Sequence, residues 1–526
     1  MKGLFSQFLL VAISLLAMPD LSASSSNTKH FQFNVEWKSV RRLCHRKAIL
    51  TVNGKFPGPT IAVNEGDNVQ VKVTNSVDRN TTIHWHGVRQ LRTGWADGPA
   101  YITQCPIGTG KTYTYNFTVV DQRGTLWWHA HFSWQRASVY GAFIIYPSTP
   151  FPFPYQPEAD IPIILGEWWN GDVEAVESEM MLHGGGPNTS DAYTINGLPG
   201  PSYPCSDKAL SSRMLLLYFP KIALLLFSSN LECKIDFEPY LTSIFPFDNS
   251  TTIGFVKYQT TKSSNFQKQD LPTPPYTLPD NLPSLKDTPF VTQFLDNLKS
   301  LGSKAYPCKV PRTIDKRIIT TISLNLQECP INQTCKGLLN KHFYASMNNQ
   351  SFIRPRVSLL ESHYYNLKPG LSLNFPENPP YIFNYTGVDP MSENMSTEFE
   401  TKILEIPFGT KLEIVLQDTN FLNPENHPIH IHGHNFFIVG RGFGNFDVSK
   451  DPLGYNLEDP PERNTVAVPV GGWAAIRLIT DNPGVWFVHC HLEEHISWGL
   501  ALGFLVRSGK ELSQSLLPPP GDLPPC

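Results

Sequence analysis

The sequence predicts an all-β protein made of β-sandwich domains. Short runs in which apolar and polar residues alternate recur between turn residues, as in VQVKVT at residues 69–74 and TYTYNFTV at residues 112–119. Such runs at short spacing are typical of sandwiches and not of βαβ units. Extended amphipathic helical patterns are scarce, and the best is a short one at residues 290–301. The chain has 526 residues, too many for one ordinary core, which indicates roughly two to four domains.

Three segments follow one another along the chain. They cover residues 28–147, residues 158–259 and residues 290–526, the last with a Pro-rich C-terminal tail. A polar, Pro-rich connector at residues 260–289 precedes the third segment. A similar apolar run after a turn closes each segment, namely GAFIIYP at 141–147, TIGFVKY at 252–258 and ALGFLVR at 501–507. This recurrence predicts a repeated domain.

The N-terminus predicts secretion. Residues 1–24 are typical of a signal peptide, with Lys2 at the positive start, an apolar stretch at residues 8–18 and small residues near the cleavage site. The alternative is a membrane anchor, which needs about 20 apolar residues, and this stretch is shorter. A second apolar run, Met214–Phe227, is interrupted by Pro220 and Lys221, so no membrane span is expected.

Charge and glycosylation motifs narrow the possible partners. The formal net charge is only −4 and the chain has no run of Lys or Arg, which argues against binding to nucleic acid. Eight N-x-S/T sequons predict N-linked glycans on a secreted surface. The sequons begin at Asn80, Asn116, Asn188, Asn249, Asn332, Asn349, Asn384 and Asn394.

The strongest functional signal is the distribution of histidine. Of the 16 histidines, ten fall in four short clusters. The clusters are HWHG (His84, His86), HAH (His129, His131), HPIHIHG (His427, His430, His432) and HCHLEEH (His489, His491, His495). In a strand, residues i and i+2 point to the same side, so each His-x-His pair can present two imidazoles to neighbouring metal ions. Chance can produce one such pair but not four clusters. We expect that His434 does not bind a metal.

Cys490 lies between two of these histidines and points to the opposite side of the strand from His489 and His491. One strand can therefore serve two metal sites joined by a short covalent path. A single thiolate with two imidazoles suits a blue-copper site, for which His427 and His495 are available. A structural zinc site would instead have four protein ligands, usually several of them cysteines. The eight remaining clustered histidines are enough for a three-metal group.

Long stretches around these clusters resemble the multicopper oxidase family and, within it, the plant laccases. The matching stretches are IHWHGVRQLRTGWADGPAYITQCPI from Ile83, RGTLWWHAH from Arg123, HPIHIHGHNFFIVGRGFGNFD from His427 and NPGVWFVHCHLEEHISWGL from Asn482. The resemblance covers almost all of residues 30–205 and 239–526. It implies three cupredoxin-like Greek-key β-sandwiches and four copper ions, three of them clustered between the first and third sandwiches.

The resemblance also implies which residues bind copper. His427, Cys490 and His495 would hold the type 1 copper, and His84 and His430 the type 2 copper. The type 3 pair would be held by His86, His129, His131, His432, His489 and His491. Leu500 would occupy the axial position of the type 1 site. Because leucine cannot ligate, we expect a raised reduction potential, although plain core packing is an alternative role for Leu500.

The activity implied by the resemblance is one-electron oxidation of small phenols, such as lignin precursors, coupled to four-electron reduction of dioxygen to water. Electrons would pass through Cys490 to His489 and His491. Asp97 in WADG and Glu493 in HCHLEEH match positions that deliver protons in relatives. The alternative for each carboxylate is to orient a histidine ligand. The expected protein is a secreted monomer of the plant apoplast and cell wall.

Most of the nine cysteines should be paired in a secreted protein. The resemblance implies the pairs Cys105 with Cys526, Cys44 with Cys205, and Cys329 with Cys335. Cys233 and Cys308 match no cysteine of the family.

The resemblance lapses at residues 206–238. Here the chain is shorter than plant laccases by roughly 50 residues, a large part of one domain. We therefore expect an incomplete second sandwich, with unpaired strand edges and uncovered apolar faces.

Two other functions remain open at this point. The chain could be a copper oxidase of ascorbate or of ferrous iron, although relatives that oxidise ascorbate generally carry Met at the position of Leu500. It could also be a copper-free structural or binding protein, because its second sandwich is expected to be incomplete. Relatives of that kind lose ligand histidines, however, and this chain retains them all.

Overall fold

The computed structural model describes most of the chain. The described residues are 27–148, 160–200, 246–254, 282–304, 306–368, 370–387, 396–420 and 425–526, with the backbone of 215–218, 232–237 and 255–259 and the single positions 203, 239, 240, 242 and 422. The predicted signal peptide at residues 1–24, the sequon at Asn394 and most of the atypical stretch at 206–238 lie outside the described residues.

The first segment is a β-sandwich. Its strands are β1 (Thr28–Arg42), β2 (His45–Val52), β3 (Ile61–Asn64), β4 (Asn68–Asn75), β5 (Ile83–His86), β6 (Thr112–Thr118), β7 (Gly124–Ala130) and β8 (Tyr140–Tyr146). They form two four-stranded sheets, β2–β1–β4–β6 and β3–β8–β7–β5, which contribute to one apolar core. The predicted alternation is confirmed, since Val69, Val71 and Val73 are fully buried while Lys72 is exposed.

The second segment has small sheets and a helix in its described part. The helix is α1 (Val173–His183), and the strands are β9 (Leu165–Trp168), β10 (Ala192–Ile195), β11 (Leu215–Tyr218), β12 (Glu232–Phe237) and β13 (Thr252–Gln259). These strands form a two-stranded sheet, β10–β9, and a three-stranded sheet, β11–β13–β12. Asp172 caps the start of α1, and Gly184 ends it with a φ of 62°.

The third segment is the largest. Its helices are α2 (Thr288–Asp296), α3 (Leu359–Tyr364) and α4 (Glu493–Ser497). Its strands are β14 (Lys316–Gln327), β15 (His342–Met347), β16 (Gln350–Ser351), β17 (Glu398–Phe399), β18 (Ile403–Ile406), β19 (Lys411–Asp418), β20 (His427–Ile431), β21 (Phe436–Phe443), β22 (Glu462–Arg463), β23 (Thr465–Val468), β24 (Gly472–Ile479), β25 (Gly484–Cys490) and β26 (Ala501–Val506). They form an eight-stranded sheet, β17–β16–β15–β14–β19–β24–β21–β22, and a five-stranded sheet, β18–β26–β25–β20–β23.

Both sheets of the third segment share a core, which contains Leu416 from the large sheet and Val488 from the small one. The all-β prediction is therefore confirmed, and α2 lies where the sequence predicts a short helix. The three apolar runs predicted to close the segments correspond to β8, β13 and β26. No helix in the described part of the chain is long and apolar enough to span a bilayer.

The disulfides agree with the predicted pairs. The two that the structure describes are Cys105–Cys526 and Cys329–Cys335. Cys44 is also disulfide-bonded, and its predicted partner Cys205 lies outside the described residues. Among the cysteines whose side chains are described, Cys308 and Cys490 carry free thiols.

Candidate metal centres

Strand pairing carries the predicted histidines to one place between the first and third segments. β5 and β7 are antiparallel neighbours with His84 opposite His129, and β20 and β25 are antiparallel neighbours with His430 opposite His489. Across the two segments, the rings of His86 and His430 stack with their centroids 3.8 Å apart. The four clusters, which are distant in sequence, therefore meet at one interface.

The eight histidines predicted for the three-copper cluster fall into three groups. The groups are His84, His86 and His430; His86, His129 and His491; and His131, His432 and His489. Within each group the potential ligand atoms lie within 4.8 Å of one another. The family resemblance assigns six histidines together to the type 3 pair, without dividing them between the two ions. In the structure these six histidines form two triads. Each triad combines histidines of the first and third segments.

Backbone carbonyls orient several of these imidazoles. The Nδ1 atoms of His84, His129 and His430 lie 2.7–2.8 Å from carbonyl oxygens, to which they donate. Within the described residues, the Nε2 atoms of the same three histidines are buried and have no hydrogen-bond partner. Buried polar atoms normally have partners, and metal-binding histidines normally donate their other nitrogen to a carbonyl or carboxylate. The donor set therefore fits copper.

Burial disfavours the charged form of several histidines in the cluster. It lowers the pKa of His86, His129 and His430 well below the ordinary value of 6.5, and neighbouring basic groups lower it further. Burial likewise lowers the pKa of His489 to about 3. A neutral imidazole offers a lone pair, which is the form in which histidine binds a metal.

A second site lies on the other side of β25. Cys490 Sγ lies 3.4 Å from Nδ1 of His495 and 3.9 Å from Nδ1 of His427, and all three side chains are buried. Burial alone would raise the pKa of the Cys490 thiol, but His495 and His427 outweigh it and lower the pKa to about 7. This arrangement of one thiolate and two imidazoles suits blue copper. Leu500 is fully buried in the same apolar core as Cys490.

Two carboxylates that the sequence patterns did not single out contact the far edges of these imidazoles. His427 Nε2 lies 3.4 Å from Asp418 Oδ1, and His495 Nε2 lies 3.0 Å from Glu425 Oε1. Glu425 precedes the HPIHIHG cluster by two residues and Asp418 by nine. Their position shortly before a ligand cluster could have identified these two acids in the sequence, because carboxylates commonly orient histidine ligands.

One predicted proton donor, Asp97, contacts predicted ligands directly, and the other, Glu493, is linked to one through Arg136. Asp97 is fully buried; its Oδ2 accepts a hydrogen bond from His432 Nδ1 at 2.9 Å, and its backbone carbonyl accepts one from His84. Glu493 Oε1 lies 2.9 Å from Nε of Arg136, whose Nη2 donates to the carbonyl of His491. This geometry supports the alternative role, orientation of histidines. Proton delivery by either carboxylate stays a prediction.

A cavity of about 250 Å³ lies beside the two triads. Its walls include His129 and His131, together with the charged side chains of Arg136, Glu177 and Glu493. Glu177 belongs to α1, so the second segment also borders the site. The sequence patterns predict neither Arg136 nor Glu177 as a site residue.

Three models of the multicopper oxidase family match the chain. They match residues 34–150, 159–234 and 374–510, which together make up more than half of it. The chain therefore belongs to the multicopper oxidase family, and the predicted copper cofactors are confirmed. The second match extends into residues 206–234, where the sequence predicts that the resemblance lapses.

Relatives place the chain with the plant laccases of that family. It is 56% identical to Laccase-1 of Arabidopsis thaliana, and the match covers 99% of each chain. It is 46% identical to Laccase-4 of Oryza sativa subsp. japonica, over 98% of each chain. These similarities confirm the predicted enzyme class.

Solved multicopper oxidases share the fold. The laccase from Botrytis aclada has a TM-score of 0.61 and 24% identity, covering 94% of this chain and 89% of that one. Fet3p, described as a multicopper oxidase that functions in iron import, has a TM-score of 0.61 and 21% identity, covering 91% and 90%. These likenesses concern the fold alone, and they confirm the predicted cupredoxin-like architecture.

Proposed function

We propose that this chain is a secreted laccase that oxidises small phenols, including lignin precursors, and reduces dioxygen to water. The observation that carries the proposal is the placement of three consecutive residues on β25. Cys490 belongs to the thiolate site, while its neighbours His489 and His491 belong to the two histidine triads. Two redox centres, one for the phenol and one for dioxygen, are thereby joined by a short covalent path.

The proposed ligand assignment follows these groups. His427, Cys490 and His495 hold the type 1 copper, and His84 and His430 hold the type 2 copper. Each triad holds one copper of the type 3 pair. The two triads support this part of the assignment because each supplies three potential ligand atoms within 4.8 Å of one another. Leu500 is buried in the same apolar core as Cys490 and, as a leucine, would not ligate a copper ion held there.

Bound copper supplies the one-electron redox chemistry at both centres. The chain's own residues position the ions, connect the two centres and shield them. Buried hydrogen bonds hold the imidazole rings in fixed orientations, which is what efficient electron transfer requires of ligands. Reduction of one dioxygen to two waters consumes four electrons and four protons. We propose that Asp97 and Glu493 lie on the proton route, since Asp97 is hydrogen-bonded to the proposed ligand His432, and Glu493 pairs with Arg136, which donates to the carbonyl of His491.

Secretion and glycosylation are also part of the proposal. The signal-peptide pattern of residues 1–24 supports export to the apoplast. The sequon asparagines support a glycosylated surface, since six are exposed and Asn349 is half-buried. The exposed six are Asn80, Asn116, Asn188, Asn249, Asn332 and Asn384. We propose that the secreted protein is a monomer.

Steady-state rates with a methoxyphenol, ascorbate and Fe²⁺ test the substrate class. The copper-loaded protein is expected to prefer the methoxyphenol and to consume one dioxygen for every four phenols oxidised, as electron balance requires. A preference for ascorbate or Fe²⁺ would replace the laccase proposal. Cys490→Ser is the matched control, because it should abolish both the activity and the strong absorption near about 600 nm of a Cys–Cu(II) bond. Wild-type protein without that absorption would point instead to a copper-free function.

A further inference from the structure

Glu177 lies where the three segments meet. Its Oε1 accepts a hydrogen bond from Ser497 Oγ at 3.0 Å, and its Oε2 accepts one from Ser133 Oγ. Ser133 belongs to the first segment and Ser497 to the third, so one carboxylate of the second segment joins both of the others. Each serine also lies two residues after a proposed copper ligand, His131 or His495.

The rest of α1 holds this carboxylate in place. On one side, Glu174 forms an ion pair with Arg79 and accepts a hydrogen bond from Gln135 at 3.3 Å. On the other side, Val176 and Met180 pack against the apolar core of the third segment. Because the helix is fixed from two directions, Glu177 has little freedom to leave its two serine partners.

These contacts form part of the wall of the cavity beside the triads. Glu177, Ser133 and Ser497 all line the cavity, as do His129 and His131, one from each triad. A volume of about 250 Å³ is large enough for several water molecules or for a small anion. A small molecule that reaches the triads through this cavity therefore passes the three side chains.

We propose that Glu177 is a positioning residue that holds this wall closed and limits how fast small molecules and ions reach the histidine triads. The inference rests on the proposed ligand assignment and adds to it a role for the second segment. It explains why a helix of that segment is hydrogen-bonded to both ligand-bearing segments.

The charge of Glu177 offers a competing explanation. The cavity also contains Arg136, Arg354 and Glu493, so removal of one carboxylate changes the local electrostatic potential. A closed wall slows the passage of anions and cations alike. A fixed negative charge slows anions but favours cations. Two probes of opposite charge therefore distinguish the two effects.

The probes are azide binding to the copper-loaded protein, followed by absorption spectroscopy, and Cu(I) uptake by the copper-free protein, followed by metal analysis. Glu177→Ala is expected to accelerate both by at least about tenfold, since the variant loses two hydrogen bonds to a charged group and the loss of even one corresponds to a rate ratio of about ten. Glu179→Ala is the matched control, because Glu179 lies on the same helix, is exposed, and contacts Lys336 at 3.7 Å. We expect it to leave both rates unchanged.

Faster azide binding with slower Cu(I) uptake would overturn the proposal in favour of a charge effect. Rates equal to those of Glu179→Ala would overturn it altogether. If Glu177→Ala does not fold, the isosteric Glu177→Gln removes one of the two acceptor oxygens and tests the same contacts. Wild-type protein that binds no copper would contradict the ligand assignment, whereas copper-loaded wild type with an unchanged variant would contradict only the role of Glu177.

Discussion

At the scale of single residues, hydrogen bonds decide which nitrogen of an imidazole faces the cluster, and for His430 and His86 the partner comes from a distant part of the chain. His430 places Nδ1 at 2.7 Å from the carbonyl of Asn464 and leaves Nε2 without a partner among the described residues. His86 is turned the other way, with Nε2 at 3.1 Å from Asn464 Oδ1 and Nδ1 at 3.2 Å from His491. The His-x-His spacing predicts which residues approach a metal. It does not predict the nitrogen, because the deciding partner comes from another part of the chain.

Asp97 is expected to be needed for the geometry of the three-copper site. Asp97→Asn keeps the shape of the side chain but removes the charge that receives the Nδ1 hydrogen of His432. We expect copper affinity at the cluster, and with it dioxygen reduction, to fall by about 10-fold to 100-fold. Metal analysis measures the copper lost from the cluster. Absorption at about 600 nm reports separately on the Cys490 site, which should keep its copper. Full copper content with normal kinetics would contradict the orienting role.

Leu500 is expected to raise the reduction potential of the thiolate site. Leu500→Met conserves volume in a buried position, so stability should fall by less than about 1.5 kcal/mol. The new thioether can approach the copper, and an axial sulfur ligand should lower the potential. A redox titration followed by the Cys–Cu(II) absorption measures the change. Leu324→Met, in the same core but on β14, is the matched control, and equal potentials in both variants would leave packing as the only role of Leu500.

At the scale of elements, strand character was predictable from sequence and strand pairing was not. Alternation predicts β4 and β6 because one face of each strand is buried. The pairing of β5 with β7 and of β20 with β25, which assembles the site, depends on contacts between residues far apart in the chain. The four histidine clusters indicate that such an assembly exists, but not its register.

The sequence patterns did not predict helix α1, and the reason is physical. Its apolar residues Val173, Val176 and Met180 have helical spacing, yet acidic side chains occupy much of the remainder. Two of those acids, Glu174 and Glu177, are half-buried and contact the other segments, so acidic residues do not mark the exposed face of the helix. Asp172 before the helix and Gly184 after it are start and stop signals that could have found it.

The turn between β20 and β21 is expected to tolerate only glycine at position 433. Gly433 has a φ of +69°, and a Cβ there would lie 2.3 Å from the ring of Trp486. Gly433→Ala should lower the free energy of unfolding by about 2–5 kcal/mol, from the left-handed backbone and the overpacked core together. Urea unfolding followed by tryptophan fluorescence measures the loss.

Gly444→Ala is the matched control for this turn. Gly444 has a φ of +80°, but a Cβ there meets no described atom within 4 Å. Its replacement should therefore cost only about 1–2 kcal/mol for the backbone conformation. Equal losses in the two variants would mean that the contact with Trp486 carries no cost of its own.

At the scale of the whole molecule, the outer segments were predictable and the middle one was not. The first and third segments are sandwiches whose two sheets share a core, whereas the described part of the second contains only small sheets. The alignment with the Arabidopsis relative spans 579 positions against 526 residues here, so it opens gaps in this chain. The proposed copper ligands all lie on the outer segments, which is why the site could be predicted without the middle one.

The bridge between Cys105 and Cys526 is expected to contribute strongly to the stability of the whole molecule. It joins residues 421 positions apart, and the tail that it anchors lies along the first segment, where Trp95 Nε1 donates to the carbonyl of Leu517 at 2.8 Å. Cys526→Ser restores conformational freedom to the unfolded chain and should cost about 2–5 kcal/mol. Scanning calorimetry of the copper-loaded protein should show a midpoint several degrees lower.

Cys308→Ser is the matched control, because the Cys308 thiol is free and only partly buried. We expect the unfolding midpoint of Cys308→Ser to equal that of the wild type. If Cys526→Ser also melts at the wild-type temperature, hydrogen bonds such as those from Trp95 to Leu517 and from Arg92 to Ser515 hold the tail without the bridge. The attachment of the tail to the first segment would then depend on these noncovalent contacts, and the hydrogen bonds from Trp95 and Arg92 would be the first to test.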